Sequence, residues 1–216
     1  MSKERSEMEN LAHQLFRDHK KVLDLITKQS PNLGFETALR RLLGDNPKGE
    51  KPVRIGNRYF VYSEFKKNLV SFLPERWQNE LVKTTDGWPG CENWWAGYPL
   101  ITWVEIRPGD DQANGYLTLN AEVGPISNHK LRKGAIETIK AGASAKGLKR
   151  IQFQIGASDK GRFYSRFLQK NSVPLNDIHN TDEIEKKFVQ LIVDFESEFD
   201  FIASVISEFP RLEKAT

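Results

Sequence analysis

Two glutamates offer the first chemistry in this chain. Glu105 and Glu122 stand in neighbouring segments of strand-like alternation, and carboxylates on adjacent strands could hold a divalent cation against a phosphodiester. Such sites usually add a lysine near the attacking water. A Glu-x-Lys spacing after Glu122 would place it at position 124, which is glycine, so the amine would have to come from Lys133 or Lys140 in the next helical segment. Mg²⁺ would be a cofactor only under this reading, and no cofactor is otherwise expected. The same glutamates could equally line a solvated, salt-bridged sheet face. A second spelling, Glu64-x-Lys66 behind the apolar run 59–62 with Asp45 upstream, is three letters long and common by chance.

A different chemistry lies in Gly161-Arg162-Phe163-Tyr164-Ser165-Arg166-Phe167, where arginines alternate with aromatics. That pattern suits phosphate contact with base stacking. It also suits a helix that buries Phe163 and Phe167 and exposes its arginines. Charge around it is segregated. Residues 128–170 hold 11 basic and 2 acidic side chains, whereas residues 171–216 hold 4 basic and 10 acidic, within a net charge of +3. The two blocks could neutralise each other, or the basic one could meet phosphate. In the second case the contact surface would be Lys130, Arg132, Lys133, Lys146, Lys149, Arg150, Arg162 and Arg166, with Tyr164 stacking. The four histidines are scattered without metal-ligand spacing, and the single cysteine, Cys91, excludes an internal disulfide and reads as structural. Neither a nucleophile elbow nor a phosphate-binding loop is spelled anywhere.

These residues need elements to position them, and the pattern predicts an α+β fold: a small, mostly antiparallel sheet flanked by helices, with an N-terminal helical arm and a long C-terminal helix. The arm covers 1–44, with an amphipathic helix over 5–28 and a short one over 35–43 closed by Gly44; the main domain covers 45–216. Strands are expected around the Gly56-Asn57 turn. A helix is expected from Pro74 to Val82, followed by an aromatic loop from Trp88 to Gly97. The segments 100–107 and 116–123 read as an antiparallel hairpin, with Leu117, Leu119, Ala121 and Val123 on one face and Thr118, Asn120 and Glu122 on the other. Ser127 or Asn128 caps a helix that Gly147 stops. Residues 150–156 read as a third strand and 162–170 as a helix. Phe188, Ile192, Phe195, Phe199, Ile202 and Ile206 stripe the final helix. No apolar run reaches membrane length, and the charged start MSKERSEMEN lacks the core of a secretion signal, so no membrane partner and a cytoplasmic location are expected.

Five short motifs occur in a telling order: Ser71-Phe72-Leu73-Pro74 with Trp77; Trp94-Trp95; Leu119 to Pro125; Ile151-Gln152-Phe153-Gln154; and Tyr164-Ser165-Arg166-Phe167. Together they resemble the C-terminal accessory region of bacterial PD-(D/E)XK nuclease superfamily proteins, over about residues 11–209. The chain departs from that group in lacking its N-terminal Asp…Glu-x-Lys nuclease core. What the resemblance implies is a non-catalytic accessory module that binds nucleic acid or a nuclease partner, in phage defence or a mobile element. Two other readings stay open: an atypical Mg²⁺-dependent nuclease using Glu105 and Glu122, and a protein-interaction component using the Trp88–Trp95 loop or the acidic C-terminal helix.

Overall fold

The computed structural model describes residues 8, 11, 14, 19, 20, 33–44, 52–84, 87–95 and 97–209. Two compact units divide the chain, 1–33 and 34–216. In the first, Met8, Leu11, Gln14, His19 and Lys20 are helical. The rest of the helix expected over 5–28 lies outside the described residues.

The second unit is α+β. Helix α1 (Leu33–Leu43) ends at Gly44, whose φ of 82° lets its N–H turn back to the Arg40 carbonyl at 2.8 Å. Strands β1 (Val53–Ile55) and β2 (Arg58–Lys66) form a hairpin about Gly56, and β3 (Leu69–Pro74) runs back along β2 past a bulge at Tyr62/Glu64. Helix α2 (Glu75–Thr84) begins one residue later than expected, because Pro74 still belongs to the strand. The nine-residue strands β4 (Leu100–Pro108) and β5 (Gly115–Val123) pair in full antiparallel register. Asn128 caps helix α3 (His129–Ala145), accepting from the N–H groups of Lys130 and Leu131, a contact worth about 1 kcal/mol. Strands β6 (Ser165–Arg166) and β7 (Ser172–Leu175) share the outer edge of β5. The result is a seven-stranded antiparallel sheet in the order β1-β2-β3-β4-β5-β6, with β7 also on β5.

Three expected elements differ. The strand over 150–156 reduces to one bridge, Ile151 to Leu168. The edge of β5 that it would need is taken by β6 and β7, and Gly156 at φ 75° turns the chain away. The helix over 162–170 is instead extended chain, drawn into the sheet by the pairing of Glu122 with Arg166. The long C-terminal helix is a pair, α4 (Thr181–Asp194) and α5 (Glu196–Ile206), broken at Phe195. That residue leaves helical geometry at φ −103°, ψ 12°, with its ring buried beneath the Arg150 guanidinium.

The fold positions the site through asymmetry. One face of the sheet carries Leu117, Leu119, Ala121 and Val123 and packs with side chains of all five described helices into a single core. Phe188, Ile192, Phe195, Phe199, Ile202 and Ile206 all reach it, as their spacing predicts. The other face has a separate small cluster of Trp94, Ile101 and Trp103, with Leu69 and Trp95 against it and no described helix in it. Among the described residues no helix is long and apolar enough to cross a membrane.

Candidate functional site: the tryptophan face of the sheet

Pairing fixes what this second face displays. Lys66 opposes Leu69, Leu69 opposes Glu105, and Trp103 opposes both Ser71 and Asn120. Glu122 opposes Ile101 on one side and Arg166 on the other. The aromatic loop closes over these residues. Trp95 stacks on Trp103 with ring centres 5.9 Å apart, and Trp94 meets Tyr164 at 6.1 Å. Arg166 lies over the Trp103 ring at 4.8 Å and Lys66 over Trp95 at 5.9 Å, so cations sit on both faces of one indole stack. Trp95 holds a left-handed backbone, φ 48°, which costs a bulky residue about 1–2 kcal/mol. Trp88 and Trp94 are buried and Trp95 is half-buried, so most of this loop belongs to packing rather than to an open interface.

Trp94 also explains Gly124. A Cβ at that position would stand 2.2 Å from the indole. No side chain fits there while Trp94 is in place, and the lysine of a Glu-x-Lys spacing is excluded with it. Gly90 packs as closely on the loop that follows, where a Cβ would meet the Pro125 carbonyl at 2.3 Å. The Trp-Pro-Gly and Gly-Pro motifs thus interlock, backed by the Ser127 N–H donating to the Pro89 carbonyl at 2.7 Å.

The two glutamates share the face but not a site. They lie four register positions apart, about 13 Å along the strands, with Trp103 and Asn120 between them. Glu105 accepts from Asn120 at 2.9 Å and from Arg107 at 2.7 Å. Glu122 is half-buried, and burial raises its carboxyl above the ordinary range, with Arg166 and Arg132 pulling it partly back. Lys133 and Lys140 are on the outer side of α3, which packs on the opposite face, and Lys133 pairs with Glu137 at 3.7 Å. Among the described residues no three His, Cys, Asp or Glu side chains gather as a metal site. Asp45 and the side chain of Glu64 lie outside the described residues. Cys91 is buried, and desolvation pushes its thiol up to about 12, which keeps it protonated at neutral pH.

The expected basic surface splits into three. Arg132 is only 2 % exposed. Its Nε donates to the Gly124 and Phe163 carbonyls, Nη1 to the Ala157 carbonyl and Nη2 to Ser165 Oγ, at 2.7–3.2 Å. Arg150 forks onto Glu198 at 2.6 and 2.7 Å, donates to the Asp194 carbonyl and covers Phe195. Both guanidiniums are committed to internal partners. Lys130, Lys146 and Lys149 are exposed on or just beyond α3, with Lys146 over the Phe201 ring at 5.5 Å. Arg162, Tyr164 and Arg166 are exposed and close together in the chain beside the tryptophan cluster.

No protein-family model matches the chain, and no curated protein or solved structure does. Residues from three of the five motifs lie together on this face, Trp94 and Trp95, Gly124 against Trp94, and Tyr164 with Arg166, whereas Phe72, Trp77, Ile151 and Phe153 belong to the main core. Sequence reasoning missed Trp103 and Lys66 as parts of this surface. A Trp at an outward position of β4, between Ile101 and Glu105, was the available signal.

Proposed function

We propose that this chain is a non-catalytic module that binds single-stranded nucleic acid on the Trp103 face of its sheet. The observation that carries the reading is the half-exposed Tyr164 ring backed by Trp94, next to Arg166 laid over Trp103. An aromatic platform flanked by guanidiniums suits unpaired bases, because every base has a stacking face and the neighbouring phosphates are anionic. Duplex keeps its bases stacked on one another and would leave Tyr164 idle. The resemblance to the accessory region of PD-(D/E)XK nucleases adds the setting: service beside a nuclease, in phage defence or a mobile element. Nuclease chemistry in this chain has less support, since Glu105 and Glu122 lie apart and Gly124 has no room for a lysine.

Fluorescence anisotropy with labelled single- and double-stranded DNA and RNA, at two salt concentrations and with or without Mg²⁺, tests this. Single strands should bind more tightly than duplex, without cleavage. If Lys160, Arg162 and Arg166 make the phosphate contacts, the slope of log K against log salt should be about −2. Tyr164→Ala should weaken binding by roughly tenfold or more. Mg²⁺-dependent cleavage that Glu122→Ala abolishes would replace this reading with the nuclease one. Absence of binding to all four would leave a protein partner.

A further inference from the structure

The segment 153–164 leaves the sheet and returns to it as a loop with an unusual tip. Ile155 is 101 % exposed, the most open of the large apolar side chains described, and Phe163 on the returning leg is 58 % exposed. A single exposed apolar side chain is ordinary on a protein surface; what sets Ile155 apart is how closely the loop beneath it is tied. Turns run through it in sequence: the Ala157 N–H donates to the Gln154 carbonyl, Asp159 to Gly156, and Arg162 to Asp159, all at 3.1–3.2 Å. Arg162 Nη2 also donates to Gln154 Oε1 at 2.9 Å, which ties the legs together beside Ile155. From beneath, Arg132 holds the Ala157 and Phe163 carbonyls, Ser165 Oγ donates to Ala157, and His129 Nε2 lies 3.0 Å from the Ser158 carbonyl. A buried arginine therefore fixes an exposed aliphatic tip before any ligand arrives, which lowers the ordering cost of binding.

Resting on the single-strand reading above, we propose that this loop is a wedge that recognises the junction between duplex and single strand. Ile155 packs against the terminal base pair while the first unpaired base passes to Tyr164. The reason is chemical complementarity. An aliphatic tip without a ring suits the hydrophobic face of an end pair, as apolar wedges do when they enter base steps. Lys160 and Arg162 on the same loop face the phosphates that flank it. Arg162 links the tip to the platform, since its Nη2 donates to Gln154 Oε1 at 2.9 Å and its Nε lies 3.5 Å from the Tyr164 carbonyl.

The test compares three labelled DNAs of equal length by anisotropy: a single strand, a blunt duplex and a fork with one unpaired tail. A fluorescent base analogue at the fork's terminal pair reports unstacking. The full chain should bind the fork roughly tenfold more tightly than the single strand and brighten the analogue. Ile155→Ala, a change at a fully exposed position, should lower fork affinity to the single-strand level, leave single-strand binding unchanged and remove the brightening. Equal affinity for fork and single strand, or a fork preference untouched by Ile155→Ala, overturns the wedge and leaves the single-strand reading standing. Loss of binding to all three overturns both. Co-sedimentation with anionic phospholipid vesicles that Ile155→Ala abolishes, without a fork preference, would assign the loop to a lipid surface instead.

Discussion

Glu122 is the residue whose ionisation most directly opposes the proposed ligand. It faces Arg166 across the β5–β6 pairing, and burial holds its carboxyl above the usual range. A carboxyl raised in the fold binds its proton more tightly there than in the unfolded chain. Below the ordinary carboxylate range both states are protonated and no penalty exists. As pH rises through the raised value, folding is penalised, and the penalty is complete above it. Phosphate arriving beside Arg166 favours the protonated form further. Glu122→Gln should therefore be more stable than the parent at neutral pH, with the two converging in acid. It should also bind single strands about threefold more tightly at pH 7. Urea midpoints and anisotropy across pH measure both; a variant weaker at neutral pH would give Glu122 a positive role in binding.

Among the elements, the junction between α4 and α5 depends on Arg150. Glu198 is only 3 % exposed and draws two hydrogen bonds from that guanidinium. Arg150→Ala leaves a buried carboxylate without its cation and should cost about 3 kcal/mol, whereas Arg150→Met with Glu198→Leu should recover most of that. Equilibrium urea unfolding of the two variants measures the difference. The same residue shows where local pattern stops being informative. The β4–β5 hairpin is legible because alternation alone puts Leu117 to Val123 on one face, and α3 because Asn128 and Gly147 mark its ends. Over 150–156 the alternation of Ile151, Phe153 and Ile155 imitates a strand, yet Phe153 packs on Phe167 while Ile155 packs on nothing. Phe163 and Phe167 imitate a helical stripe in the same way. Only the competition for the edge of β5, a contact between distant segments, decides both. Arg162, Tyr164 and Arg166 could be found from their alternation. For their neighbour Trp103 the sequence offers only a tryptophan at an outward strand position, since its place beside them depends on the order β3-β4-β5-β6. Nor can a count of charges tell that Arg132 and Arg150 turn inward.

For the molecule as a whole, the acidic C-terminal block meets cations from several parts of the fold. Arg41 reaches Asp182 at 2.6 Å, Arg150 reaches Glu198, and Arg58 and Arg76 converge on Asp200 from the first hairpin and α2. The segregated charge is thus partly neutralised internally. What remains outward from the basic block includes Lys160, Arg162 and Arg166, which lie on one continuous stretch of chain. Hydrogen bonds from Arg58, with its charge and that of Arg76 against the effect of burial, hold the Asp200 carboxyl below the ordinary range. Its contribution to stability is present above the unfolded value of about 4 and is lost as pH falls through the lower folded value. In thermal melts the parent should exceed Asp200→Asn at neutral pH, and the gap should close in acid. A gap independent of pH would mean that the network acts through packing rather than charge.

The Trp95–Trp103 stack, at 5.9 Å and 27° between ring planes, has an optical consequence. Two indoles so close and slightly rotated share their excited states, and exciton coupling gives the pair a paired band of opposite signs in the far-ultraviolet circular dichroism. The chromophore lies on the Trp103 face of the sheet, between Arg166 and Lys66. The protein thereby carries an unlabelled optical gauge on that surface, sensitive to ring geometry there and separate from the aromatic rings of the main core.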